Sequence, residues 1–150
     1  MTQLSELEKQ MRILSDIESI KKLKAKYWRY VDNKLWDNLA EVFTADATLE
    51  YGQDNPRGRD AIAEFLRKST GNKKIVTIHQ GHNPEIDIID ETNATGIWAL
   101  HDYLIFGSRM SLNGWGYYHD EYVKTNDGWK IKSTRITRLR EEWITNKQVT

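Results

Sequence analysis

Apolar residues recur at three- and four-residue spacing early in the chain. Ile17, Ile20, Leu23, Tyr27 and Val31 form one stripe of a helix running from about Ser5 to Val31, and no breaker interrupts it. Tyr27 therefore faces inward. The pattern predicts a second helix after Asp32 or Asn33, with Leu35, Trp36, Leu39, Ala40 and Phe43 on its buried side. A third is predicted from about Asp60 to Lys68, with Ile62, Phe65 and Leu66 inward, and Gly71-Asn72 closes the helical half. From Lys74 onward the period shortens to two. β-Branched and aromatic segments at 74–79, 84–90, 94–106, 114–125 and 128–142 read as strands. Turn signals at Gly81, Asn83-Pro84, Asp90-Glu91, Asn113-Gly114 and Asn126-Asp127-Gly128 divide them.

Helices first, then strands without βαβ alternation, predict an α+β fold: a cone-shaped barrel of curved antiparallel sheet with the N-terminal helices covering one face. No repeat or linker interrupts residues 1–150, which read as one domain. A helical lid over such a sheet leaves a concave, mostly apolar end of the kind that ligand pockets favour.

Charge and composition narrow the function. The 22 basic and 22 acidic side chains cancel and are scattered, so no footprint for nucleic acid or anionic lipid is present. There is no cysteine, which excludes disulfides, thiolate nucleophiles and thiolate metal sites. The N-terminus lacks a basic start with an apolar run, and no stretch has the roughly 18 apolar residues of a membrane helix, so a cytoplasmic location is expected. Six Trp, seven Tyr and three Phe supply an aromatic-lined interior.

A few polar residues interrupt apolar faces. Alternation in Lys74-Ile-Val-Thr-Ile-His79 puts Ile75, Thr77 and His79 on one face, so His79 is either a core histidine bonded to a carbonyl or a general base. In Gly96 to Phe106, Asp102 shares a face with Trp98, Leu100, Leu104 and Phe106. A carboxylate buried there requires a partner, either in a salt bridge that fixes the sheet or in an active site. His101 falls on the opposite face. Asp32 stands between two helices, where an N-cap is the simplest role. Tyr27 is one of several inward aromatics, and alternation does not settle which way Arg138 faces. His79-Gln-Gly-His82 offers two imidazoles that a strand-to-turn placement points apart, with no third ligand at a telling distance, so no metal is expected.

Taken in order, Lys26-Tyr-Trp-Arg-Tyr-Val-Asp32, His79-Gln-Gly-His-Asn-Pro-Glu-Ile86, Thr95-Gly-Ile-Trp-Ala-Leu-His-Asp102 and Arg138 resemble the bile-acid 7α-dehydratases of gut bacteria. These belong to the SnoaL-like branch of the nuclear transport factor 2-like superfamily, and the likeness runs from about Ile17 to Trp143. Scytalone dehydratase and hexachlorocyclohexane dehydrochlorinase are more distant relatives. The resemblance implies a cofactor-free lyase whose catalytic set falls on Tyr27, Asp32, His79, Asp102 and Arg138. Tyr51, Trp98 and Tyr118 are expected to touch a hydrophobic hydroxy-carbonyl substrate, steroid-like or polyketide-like, free or as a coenzyme A thioester. The same machinery serves a dehydrochlorinase, a double-bond isomerase or a polyketide cyclase. A non-catalytic binding module is the alternative, expected to hold His79 and Asp102 too far apart to share a hydrogen bond. A homotrimer is implied as well, and the strand from Gly114 to Tyr122 offers aromatics to both sheet faces.

Overall fold

The computed structural model describes residues 2–145. Helix α1 spans Gln3–Asp32, and its first turn is capped by Thr2, whose side chain accepts from the Ser5 N–H. Ile20, Leu23, Lys24, Tyr27, Trp28 and Val31 are its buried face. Asn33 and Lys34, the latter at a positive φ of 58°, turn the chain into the short helix α2, Trp36–Glu41. Strand β1 is Phe43–Tyr51, and helix α3 is Arg59–Thr70. Four long strands follow: β2 Ile75–Ile88, β3 Asn93–Phe106, β4 Met110–Thr125 and β5 Gly128–Thr145.

The strands form a single sheet in the order β1-β5-β4-β3-β2. Its helices lie over the inner face, as the residue pattern predicts. Two features differ from expectation. The sheet is mixed, because β1 runs parallel to β5 while all other pairs are antiparallel, and it does not close, leaving β1 and β2 as edges. Phe43 belongs to β1 and not to the second helix, which stops at Glu41. A register shift between Phe43 and Thr48 disturbs β1: Ala45 is exposed, which leaves a gap in the period of two between the inward residues Phe43, Ala47 and Leu49.

Three turn signals also resolve differently. Gly81 and Asn83-Pro84 lie within one continuous β2, where a register shift between His82 and Glu85 places Asn83 at φ 48°. Gly81 is required there, because the Trp28 ring of α1 occupies the space a Cβ would need. Asn113-Gly114 sits inside β4, opposite Tyr103 and Asp102. The β3–β4 turn comes earlier, at Gly107, with φ 66°.

The core joins the α1 stripe to Leu39, Val42, Phe43, Leu49 and Ile62 and to the inward residues Trp98, Leu100, Tyr118, Tyr122 and Ile131 of the sheet. Toward the far end of the sheet the filling gives way to a cavity. No helix among the described residues is long and apolar enough to cross a membrane.

Candidate active site

The cavity has a volume of about 280 Å³ and lies between Tyr27 and Val31 of α1, Phe65 and Leu66 of α3, and the inner sheet face. Its wall is mainly apolar, with Leu49, Leu104, Phe106, Leu112, Ile136 and Trp143 contributing side chains. His79, Asp102, Tyr27, Tyr51, Tyr118 and Arg138 also line it, so six residues singled out from the sequence converge on one space.

Alternation along β2 delivers His79 to this wall, with Thr77 buried two residues before it and Val76 and Ile78 exposed on the other face. The end of α1 delivers Asp32. Its Oδ1 lies 2.6 Å from His79 Nδ1 and accepts from the Thr77 hydroxyl at 2.9 Å, while Oδ2 accepts from the His79 backbone N–H at 3.0 Å. Asp32 is thus no N-cap: three donors orient its carboxylate, and it orients the imidazole. With Nδ1–H donated to the carboxylate, Nε2 is the nitrogen left with a lone pair. Asp32 also carries a charge suited to offset a proton arriving at Nε2.

Asp102, buried on β3, finds its partner on β5. Arg138 Nη1 and Nη2 donate to Oδ1 and Oδ2, both at 2.8 Å, and Nη2 also donates to the Tyr51 hydroxyl at 3.1 Å. This is the two-pronged geometry that makes arginine–carboxylate pairs strong. Burial works against the guanidinium, but the contacts to Asp102 and Tyr51 outweigh it and raise its pKa above the ordinary arginine value. Glu141 stands 3.4 Å from Arg138 Nε, so two carboxylates surround the one cation. Gly114 makes room for the pair, since a Cβ there would overlap Asp102 Oδ1 and Arg138 Nη1. Although His79 and Asp102 face each other in register across β2 and β3, the carboxylate that holds the imidazole is Asp32. Separation of His79 from Asp102 therefore does not mark a binding module.

Tyr27 and Tyr118 form the floor, their rings edge to face with centroids 6.2 Å apart. Both are buried. Desolvation pushes each phenol up; Asp120, Asp32 and Asp102 push Tyr27 further, and Tyr27 and Asp102 do so for Tyr118. They remain hydrogen-bond donors throughout the physiological range.

Beneath that floor lies a polar group that sequence reasoning missed. Lys24 Nζ is 2.7 Å from Asp120 Oδ2, both side chains fully buried, and sits 3.9 Å from the centroid of the Tyr118 ring. Burial lowers the Lys24 pKa, and Asp120 opposes it. Asp120 also accepts from the hydroxyls of Thr134 at 2.5 Å and Tyr122 at 2.6 Å, and Tyr122 accepts from Trp98 Nε1 at 2.9 Å. Trp98 is therefore part of this buried network and does not line the cavity, in contrast to its expected substrate contact; its indole N–H is directed to Tyr122. The signals were present: Lys24 falls on the buried stripe of α1, and Asp120 alternates with Tyr118 and Tyr122 as Asp102 does with Leu100 and Leu104.

His82 is exposed and takes no part in the cavity wall. Among the described residues, no group of three or more His, Cys, Asp or Glu is arranged to hold a metal ion.

The family model described as a SnoaL-like domain matches residues 12–135. A protein of Mycobacterium tuberculosis described as uncharacterised is 28% identical over 123 residues, covering 79% of this chain and 82% of its own. A protein of Gibberella zeae named as a candidate cyclase is 27% identical over 143 residues, covering 80% and 89%. Among solved structures, a candidate scytalone dehydratase from Novosphingobium aromaticivorans superposes with a TM-score of 0.79 at 24% identity, over 86% of this chain and 87% of that one. A hexachlorocyclohexane dehydrochlorinase from Novosphingobium barchaimii gives 0.79 at 17% identity, over 93% and 96%. These two likenesses are of fold. The family match spans most of the chain and agrees with the helices-over-sheet architecture, and on that footing the chain belongs to the SnoaL-like domain family.

Proposed function

We propose that the protein is a cofactor-free dehydratase acting on a hydrophobic hydroxy-carbonyl compound. One observation carries this reading: an imidazole on the wall of an apolar cavity, held at Nδ1 by a carboxylate that is itself fixed by two further donors. In the proposed reaction His79 Nε2 takes a proton from a carbon next to, or vinylogous to, the carbonyl. Tyr27 or Tyr118 donates a hydrogen bond to the oxygen on which enolate charge develops. The C–O bond to the hydroxyl then breaks, and the proton on Nε2 leaves with it as water. One group serves as base and then as acid, and Asp32 keeps its tautomer correct in both steps.

In this reading Arg138 holds Asp102 and Tyr51 in place and does not bind a substrate carboxylate, because Asp102 occupies both of its Nη groups. The end of the cavity next to Asp102 and Glu141 suits an uncharged part of the substrate. The steroid-like and polyketide-like classes both meet that condition, and the resemblance of the sequence motifs to those of bile-acid 7α-dehydratases favours the first. The proposed homotrimer would cover the outer sheet face, where Trp115 stacks on His101 beside Ile78 and Tyr103.

A cyclase is the second reading, favoured by the relative named as a candidate cyclase. The same base and donors would form a carbon–carbon bond from an enolate instead of expelling hydroxide. Incubation with 3-oxo-Δ4 hydroxysteroids and with aromatic polyketide intermediates, followed by mass spectrometry, separates these readings. A dehydratase yields a product lighter by one water. A rearranged product of unchanged mass contradicts it.

A further inference from the structure

The chain leaves α1 through a turn whose backbone and residue type disagree. The Leu35 N–H reaches back to the Tyr30 carbonyl at 2.8 Å and the Lys34 N–H to the Val31 carbonyl at 3.1 Å, the paired bonds of a Schellman ending. Such an ending puts one residue in the left-handed region, here Lys34 at φ 58°. Glycine or asparagine is the usual choice there, because a Cβ is crowded in that conformation. A long charged side chain at this position needs another reason. Lys34 Nζ donates to the Thr70 carbonyl at 2.7 Å. Thr70 is the last residue of α3, where carbonyls lack partners within the helix and carry its negative end, so an ammonium suits the place. Thr70 also lines the cavity. Lys34 thus fixes its charge between the cavity wall and the end of α1, two residues beyond Asp32.

That charge bears on the candidate base. Asp32 stands 2.6 Å from His79 Nδ1, and a carboxylate so close stabilises a charged ring, which cannot take a proton from substrate. A cation near Asp32 offsets part of that field. Partial burial lowers the Lys34 pKa and Asp32 opposes the shift, as two charges that feel each other must. The other groups that share the cavity with the ring supply no free cation. Arg138 of β5 is bound to Asp102 of β3, Tyr27 of α1 and Tyr118 of β4 keep their protons, α3 offers the hydroxyls of Ser69 and Thr70, and β1 with its following loop adds Tyr51 and Asp54. We infer that Lys34 is a positioning residue for the Asp32–His79 pair: anchored on the Thr70 carbonyl, its ammonium offsets part of the Asp32 charge and leaves the imidazole free to accept a proton near neutral pH.

The inference rests on His79 being the base, but its test does not need turnover. Proton NMR of the full-length protein follows the His79 ring C–H signal against pH, the signal being assigned by its loss in His79→Gln. Lys34→Gly removes the charge and suits the left-handed backbone, so the fold is kept; circular dichroism verifies this, and Lys34→Asn is a second neutral replacement at ease there. In both neutral variants the titration midpoint of His79 should lie about half a pH unit above that of the wild type at low ionic strength. Lys34→Arg, which keeps the charge, should titrate as the wild type does. With a substrate from the screen, the acidic limb of the kcat/KM profile should move with the midpoint. An unchanged midpoint in the neutral variants, or the same rise in Lys34→Arg, would overturn the inference. If no hydroxy-carbonyl compound loses water, the dehydratase reading fails, and the titration still decides the role of Lys34.

Discussion

Asp32 and His79 are joined twice, through the imidazole Nδ1 at 2.6 Å and through the His79 backbone N–H at 3.0 Å, although 47 residues separate them. The double contact fixes both the ring and the strand that carries it. Asp32→Asn keeps the shape but presents an amide that cannot offset charge and can donate toward Nδ1, selecting the wrong tautomer. Turnover is expected to fall within the range of about 10²–10⁴-fold that a placed proton-transfer group contributes. Steady-state kinetics on a substrate from the screen, with the thermal midpoint measured alongside, checks this, and KM should move far less than kcat.

The Asp102–Arg138 pair supports the cavity wall. Replacing Arg138 by Met leaves a buried carboxylate without its cation, and the expected cost is about 3–5 kcal/mol in chemical denaturation. The Asp102→Asn/Arg138→Met double variant should recover part of that loss, because the uncompensated charge is gone. Gly114→Ala should also be destabilising, with a disproportionate loss of activity, since its Cβ would enter the space of the pair.

The Lys24–Asp120 pair should behave as structure. Lys24→Met strands Asp120 among Thr134 and Tyr122, and a loss of about 3–5 kcal/mol is expected, partly restored in Lys24→Met/Asp120→Asn. The double variant, measured below its unfolding temperature, should retain most of its turnover, because neither residue lines the cavity.

Tyr27, Tyr118 and Tyr122 all have pKa values raised chiefly by burial. In the unfolded chain these phenols lose protons near pH 10, while the folded protein keeps them. Their contribution to stability is therefore intact below about pH 10 and lost as pH rises above it. Phenolate absorbance should report ionisation of the more accessible tyrosines first, with these three ionising only as the fold is lost. Reversible ionisation of all seven with native circular dichroism would refute it.

Legibility in the sequence followed the strength of the local signal. The α1 stripe, the alternation of β2 as far as His79 and that of β3 are uninterrupted, and they correctly placed Tyr27, His79 and Asp102 on inner faces. β1 was hidden because its bulge disrupts the period of two, and Asn83-Pro84 looked like a turn because a bulge demands the same backbone shapes. Partnership was the least readable property. Nothing local tells Asp32 that its partner lies in β2, or Asp102 that its partner lies in β5; the first pairing arises only when α1 crosses the sheet, and the second only when β3 and β5 pair on either side of β4. Trp98 shares a strand face with Asp102, yet the face is long enough for one end to line the cavity and the other to belong to the core.

His79→Ala tests the central claim most directly, with turnover measured beside folding stability, since removing the ring also leaves Asp32 with one donor fewer. The account predicts a loss of at least about 10²-fold in kcat with native circular dichroism and the cavity still able to bind substrate. Retention of more than about a tenth of wild-type turnover would contradict proton transfer by His79.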